Sequence, residues 1–122
     1  MLLRLGGVAV VVALVGGIVL LRGGNRAAAG TSFQILSPSA GATVASPVLI
    51  DVGLQGAQLG VPSTGLDHLH VSIDGGQPIA LYHAPELTVP LAPGEHTVAV
   101  QLADAAHDGI LPPQTVTFSV GG

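Results

Sequence analysis

The sequence contains no cysteine and no tryptophan, and only three of its 122 residues are aromatic. The absence of cysteine excludes disulfides, thiolate metal sites, iron–sulfur clusters and cysteine nucleophiles. The scarcity of aromatic rings argues against stacking platforms for carbohydrates or nucleobases. Any core must therefore be built mainly from aliphatic side chains.

Positive charge is equally scarce. The only cationic side chains, Arg4, Arg22 and Arg26, all lie near the amino terminus, whereas residues 27–122 carry seven acids and no lysine or arginine. That region therefore has a formal charge of −7. Because nucleic-acid binding requires cations that neutralise phosphates, a nucleic-acid partner is excluded, as is docking of this region on anionic lipid headgroups.

A long apolar run opens the chain. The seventeen residues from Leu5 to Leu21 contain no polar side chain, and as a helix they would extend about 25 Å, close to the roughly 30 Å of a bilayer core. We expect residues 1–22 to form a transmembrane anchor or an uncleaved signal segment, followed by a flexible tether over residues 23–32. The small residues Ala27–Ala29 leave cleavage of the leader open. The expected location is the cell membrane, single-pass, with the C-terminal domain extracytoplasmic, or secreted if the leader is removed.

From residue 33 onward, apolar residues recur with a period of two between turn residues. This pattern predicts short strands, and no stretch has a sustained helical period. We predict an all-β domain over residues 33–122, a seven-stranded immunoglobulin-like antiparallel sandwich preceded by one N-terminal transmembrane helix. The predicted strands are Phe33–Ser37, Val48–Leu54, His68–Ile73, Pro78–Tyr82, Leu87–Val89, His96–Ala103 and Thr115–Val120.

Histidines are concentrated in the second half of this domain. Strand alternation places His68 and His70 together on the outer face of the third strand, with α-carbons roughly 6.5 to 7 Å apart. The sixth strand runs antiparallel to the third, so its end, with Asp104 and His107, approaches the start of the third strand. His83 lies at the same rim. We expect the imidazoles of His68, His70 and His107 to lie within about 5 Å of one another if they share an ion.

The sequence allows two registers, one residue apart, for the hairpin between the third and fourth predicted strands. A two-residue turn places His83 opposite His68. A three-residue turn places Leu81 opposite Val71 and gives the better apolar core, so it is the preferred alternative.

Imidazole and carboxylate donors without sulfur suit Zn²⁺, Cu²⁺ or Ni²⁺ and not Cu⁺. The sequence thus points to a divalent metal site formed by His68, His70, His107 and His83, with Zn²⁺ or Cu(II) as the cofactor and Asp67 or Asp104 orienting an imidazole. The alternative is a structural or protein-interaction module without metal, because histidines at loop borders commonly hydrogen-bond to the backbone. Clustered histidines also fit a pH sensor. The sequence identifies no protein partner.

The fifth histidine has a structural interpretation. His96 shares parity with Val98 and follows a Pro-Gly corner, where immunoglobulin-like domains often carry a tyrosine that hydrogen-bonds back to the corner. We expect His96 to point inward and to supply that hydrogen bond.

Catalytic motifs are missing. The sequence has no G-x-S-x-G elbow, no phosphate-cradling glycine loop and no H-E-x-x-H pattern. A grouping of Ser72, His70 and Asp74 would lie on an open sheet without an evident oxyanion hole. The sequence predicts that the protein is not an enzyme.

Three linked motifs carry a resemblance to a known family. They are H-x-H-V at His68–Val71, P-G-x-H at Pro93–His96, and L-x-D-x-x-H at Leu102–His107. Over roughly Phe33 to Val120 the chain resembles an uncharacterised bacterial family of short exported immunoglobulin-like domains of unknown function. That resemblance implies an extracytoplasmic sandwich and no activity. A looser likeness to periplasmic copper-resistance β-sandwich proteins depends on fold and histidines alone.

Overall fold

The computed structural model describes residues 30–122, which form eight strands and one short 3-10 turn, Pro62–Thr64. The strands are β1 (Ser32–Ser37), β2 (Thr43–Val44), β3 (Val48–Gln55), β4 (His68–Ile73), β5 (Ile79–Leu81), β6 (Glu86–Val89), β7 (Gly94–Ala103) and β8 (Gln114–Val120). Within these residues no helix has the length and apolar character of a membrane span. The anchor predicted for residues 1–22 lies outside the described part of the chain.

Two sheets build the domain. One sheet has three strands in the order β1-β3-β6, and the other has five in the order β2-β8-β7-β4-β5. All pairings are antiparallel except β2 with β8, which is parallel. The arrangement is an all-β sandwich, as the alternating sequence pattern predicted.

The core lies between the inner faces of the two sheets. Each long strand contributes every second residue, because successive side chains point to opposite faces of a strand. The buried apolar residues are Phe33, Val48, Ile50, Val52, Leu69, Val71, Leu81, Val98, Val100, Leu102, Val116, Phe118 and Val120. Only two are aromatic, so the core consists mainly of aliphatic side chains, as the composition requires.

Two side chains on the outer face of the five-stranded sheet are also buried. His68 is 0% exposed and its cross-strand partner Ala103 is 1% exposed, although both have the parity of the outer face. The chain after β7 returns alongside the end of that strand, since Gly109 bridges to Ala103 and the Ile110 amide donates to the Leu102 carbonyl over 3.0 Å. The rings of His70, Tyr82 and His107 pack against His68. One end of the outer face is therefore covered by protein.

The prediction of seven antiparallel strands is wrong in one respect. The structure has an eighth strand, β2, which pairs in parallel with the end of β8. It contains only Thr43 and Val44. A two-residue strand is too short to show a period in sequence, which is why alternation did not reveal it.

The β4–β5 hairpin adopts neither of the two predicted registers. Leu81 pairs with Leu69, not with Val71. The turn begins with Asp74 and Gly75 at φ 55° and 75°, which fits a type I′ turn. The residues before β5 include Pro78, which has no N–H to donate to the ladder, and the register shifts there. The preferred alternative was right about the face, because Leu81 is buried in the core.

Candidate metal centre

Strand β4 brings two histidines side by side at its start. His68 and His70 lie on the outer face, and their Nε2 atoms are 2.8 Å apart. One ring must donate an N–H and the other must accept with a lone pair, so the contact requires at least one neutral imidazole. Their ring centroids are 4.6 Å apart.

The loop after β7 carries the third histidine. Asp104 organises this loop, because its Oδ1 accepts hydrogen bonds from the amides of Ala106 (2.9 Å) and Asp108 (3.0 Å). The amide of His107 donates to the Asp104 carbonyl over 2.9 Å. His107 is held at φ 67°, a left-handed conformation that costs a non-glycine residue about 1 kcal/mol or more. The sequence thus keeps an imidazole at a backbone position that glycine or asparagine would occupy with less strain.

The three rings converge on one point. The His68 and His107 centroids are 4.9 Å apart, and those of His70 and His107 are 5.8 Å apart. One nitrogen from each ring lies within 4.8 Å of the other two. Ligands on a tetrahedral Zn²⁺ are about 3.3 Å apart, given bonds of 2.0–2.1 Å. To bind Zn²⁺, the longest nitrogen–nitrogen distance would have to decrease by about 1.5 Å, from 4.8 Å to 3.3 Å. The His107 side chain is exposed, so it has room to rotate by that amount.

The environment disfavours protonation of the two strand histidines. Burial lowers the pKa of His68, as do the neighbouring rings of His70 and His107, while the carboxylate of Asp104 raises it. Burial and the proximity of His107 lower the pKa of His70. A neutral imidazole is the form that binds a metal ion.

His68 also leaves a polar atom unsatisfied. Its Nδ1 is buried and has no hydrogen-bond partner among the described residues. A buried polar group without a partner costs about 1–3 kcal/mol. A purely structural histidine would normally have both ring nitrogens bonded, as His96 does, so the role of a backbone cap does not explain His68.

Three further residues surround the rings. The Tyr82 ring packs against His68 with centroids 5.1 Å apart. Asp67 precedes His68, and both its burial and the Asp104 carboxylate raise its pKa. The rim therefore combines imidazoles with carboxylates and lacks any lysine or arginine. Tyr82 was missed as a neighbour of His68 because its position depends on the hairpin register, which sequence left open.

The structure separates the remaining predicted site residues from this group. His83 is exposed and is not a member of the group of three converging nitrogens. Asp104 was expected to orient an imidazole, but the hydrogen bonds it makes fix the loop backbone that carries His107. Asp74 bonds to His96 and Thr97, so its carboxylate does not serve His70.

His96 has the structural role predicted for it. Its Nε2 donates to the Ala92 carbonyl over 2.7 Å, across the Pro-Gly corner. Its Nδ1 lies 2.6 Å from Oδ2 of Asp74, a partner that was not predicted. Both partners are acceptors, so both ring nitrogens must carry protons for the two bonds to coexist. The bonds to Asp74 and Ala92 accordingly raise the pKa of His96, and the bonds from His96 and Thr97 lower the pKa of Asp74.

The pair of His96 and Asp74 predicts a pH dependence of stability. A raised histidine pKa stabilises the fold fully below the unfolded value near 6.5, and this contribution is lost as pH rises through the folded pKa. We expect the thermal unfolding midpoint of the metal-free chain to decrease as pH rises above about 6.5, and Asp74→Asn to reduce that decrease. Thermal unfolding followed by circular dichroism measures it. The exposed residue His83 provides the control: His83→Gln should keep the wild-type slope, and an unchanged slope in Asp74→Asn would refute the assignment.

Comparison with known proteins bears on the fold. No family model matches the chain, and no curated protein matches it. Among solved structures, the fibronectin(III)-like modules of Clostridium thermocellum CbhA are similar, with a TM-score of 0.55 at 16% identity over 74% of this chain and 97% of that chain. The similarity supports an immunoglobulin-like or fibronectin III-like sandwich and nothing about activity. Membership of an exported bacterial family remains a prediction.

Proposed function

We propose that this domain binds one divalent transition ion, Cu²⁺ or Zn²⁺, through His68, His70 and His107. The observation that carries the proposal is the convergence of three imidazole nitrogens within 4.8 Å from two separate segments. Imidazole is a ligand for both ions, and the chain offers no thiolate that would favour Cu⁺. As part of the same proposal, residues 1–22 anchor the domain to the membrane on its extracytoplasmic side.

Charge supports this proposal. The described residues contain no lysine or arginine, and Asp67, Asp104 and Asp108 lie at or next to the histidine rim. A dication is attracted by such a surface, and this attraction raises its local concentration.

Equilibrium dialysis of the full-length chain in mild detergent against Cu²⁺ and Zn²⁺ tests the proposal. We expect one ion per chain for the wild type and for Glu86→Gln, which removes an exposed carboxylate from the other sheet. The double variant His68→Ala/His70→Ala should lose that ion. Equal uptake by the double variant would overturn the proposal, provided that circular dichroism shows its fold to be intact.

Tyr82 supplies an independent optical readout. It is the only tyrosine, the chain has no tryptophan, and its ring centroid is 5.1 Å from that of His68. Bound Cu²⁺ quenches nearby tyrosine emission, so the fluorescence should fall with the same stoichiometry as the dialysis. A chelator that removes Cu²⁺ should restore the emission, whereas Zn²⁺ is a poor competitor because it binds nitrogen ligands more weakly than Cu²⁺.

The protein-interaction module is the competing function. The observation that favours it is a cleft of about 460 Å³ lined by Gly56, Ala57, Gln58, Gly65, Leu66 and Asp67. It borders the histidine rim through Asp67. A chain that takes up no ion in dialysis would leave this surface as the better candidate.

A further inference from the structure

The three-histidine group is incomplete as a metal centre. Zn²⁺ and Cu²⁺ in proteins take four or more ligands. Among residues 30–122, no carboxylate and no other histidine lies close enough to all three nitrogens to act as a fourth ligand. His107 is exposed and His70 is half-buried, whereas His68 is fully buried. The free coordination position of a bound ion therefore faces solvent, on the side of His107.

The surrounding charge selects what can occupy that position. Asp67 and Asp104 lie at the rim, and the described residues contain no lysine or arginine. An anionic donor, such as a carboxylate, a thiolate or a halide, is attracted by the dication itself, but the rim carboxylates repel it and weaken that attraction. A neutral nitrogen donor meets no such repulsion. Imidazole is the neutral nitrogen donor that proteins commonly use for these ions.

Building on the metal site proposed above, we propose that the fourth position is filled by a histidine imidazole from outside the protomer. The chain itself carries a suitable donor. His83 is exposed and follows β5, the strand that pairs with β4. It lies one residue after Tyr82, which contacts His68. The donor and the incomplete site thus share one rim, so a two-fold pairing allows each copy to complete the other's site with His83. A histidine on a different protein is the second source of the same chemistry.

The first arm of the test measures donor preference. Cu²⁺-loaded His83→Ala chain at micromolar concentration is titrated with free imidazole and with azide, while electron paramagnetic resonance follows the copper. Retention of one Cu²⁺ per chain is checked by dialysis beforehand. We expect imidazole to bind, and Asp67→Asn in the same background to raise azide affinity about twofold to fivefold while leaving imidazole affinity unchanged. The control is Glu86→Gln on the other sheet, which removes the same charge away from the rim and should change neither affinity.

The second arm identifies the source of the imidazole. Sedimentation equilibrium should show a metal-dependent dimer for the wild type and a monomer for His83→Ala. Mixing His83→Ala, which keeps the three ligands, with His68→Ala/His70→Ala, which keeps His83, should restore a dimer with one ion. A wild-type monomer that binds free imidazole supports a histidine on another protein as the source.

The two proposals fail separately. A chain that retains no ion refutes the metal site itself. A chain that retains its ion, stays monomeric and shows no spectral response to imidazole refutes only the external histidine. Tighter binding of azide than of imidazole to the loaded chain would also overturn it.

Discussion

Saturating Zn²⁺ is expected to raise the thermal unfolding midpoint of the chain by about 10 to 20 °C. An ion that binds only the folded state at 100 times its dissociation constant adds about 2.7 kcal/mol of stability. In a domain of this size each kcal/mol corresponds to roughly 4–8 °C. Few single changes to such a domain have a larger effect. Differential scanning calorimetry across a range of zinc concentrations measures it, since the midpoint should climb with the logarithm of free zinc.

The matched variant for this experiment is His68→Ala/His70→Ala, which should show no zinc-dependent climb. The climb should also diminish toward pH 5 in the wild type, because protons compete with the metal for imidazole nitrogens. If zinc raised the unfolding midpoint of the double variant by the same amount, the stabilising ion would have to bind at a different site.

Replacing His68 with leucine is expected to stabilise the metal-free domain while abolishing the metal site. The buried Nδ1 of His68 has no partner among the described residues. Removing such a group recovers about 1–3 kcal/mol and losing the contact with His70 costs about 0.5–1.5 kcal/mol, so the net gain is about 1 kcal/mol. His70 is only half-buried, so water can satisfy its ring after the change. This gain would mark the histidine as retained for binding rather than for folding.

Urea unfolding in the presence of a chelator measures the effect of His68→Leu. His83→Leu, at an exposed position, is the control and should change stability by no more than about 0.5 kcal/mol. A loss of stability in His68→Leu would mean that the imidazole makes a stabilising interaction through Nδ1, and the argument from its unsatisfied nitrogen would then be wrong.

The sequence predicted much of the fold and all three of the imidazoles that converge. Strand period placed the core of β4 and β7 and set His68 and His70 on one face, because alternation is a property of each strand alone. The antiparallel relation of the third and sixth predicted strands placed the end of the sixth near the start of the third, and in the structure Ala103 pairs with His68 there. His96 was placed at its corner by its parity and by the preceding Pro-Gly.

The remaining features depend on contacts between distant segments. His68 is covered by the rings of Tyr82 and His107, which come from two other segments, and no local pattern encodes those contacts. The left-handed conformation of His107 depends on the bonds of Asp104. The partnership of Asp74 with His96 could have been found, because the register of β4 against β7 puts Asp74 beside Thr97. The sequence alone did not give the register of β4 against β7, on which that inference depends.

A crystal structure of the Zn²⁺-loaded or Cu²⁺-loaded chain, with the ion located by anomalous scattering, would show whether the three imidazoles hold a metal. We expect one ion bonded at about 2.0–2.1 Å to a nitrogen of each of His68, His70 and His107. An ion bound without these three imidazoles, for instance at His83 or at the pair of His96 and Asp74, would contradict it.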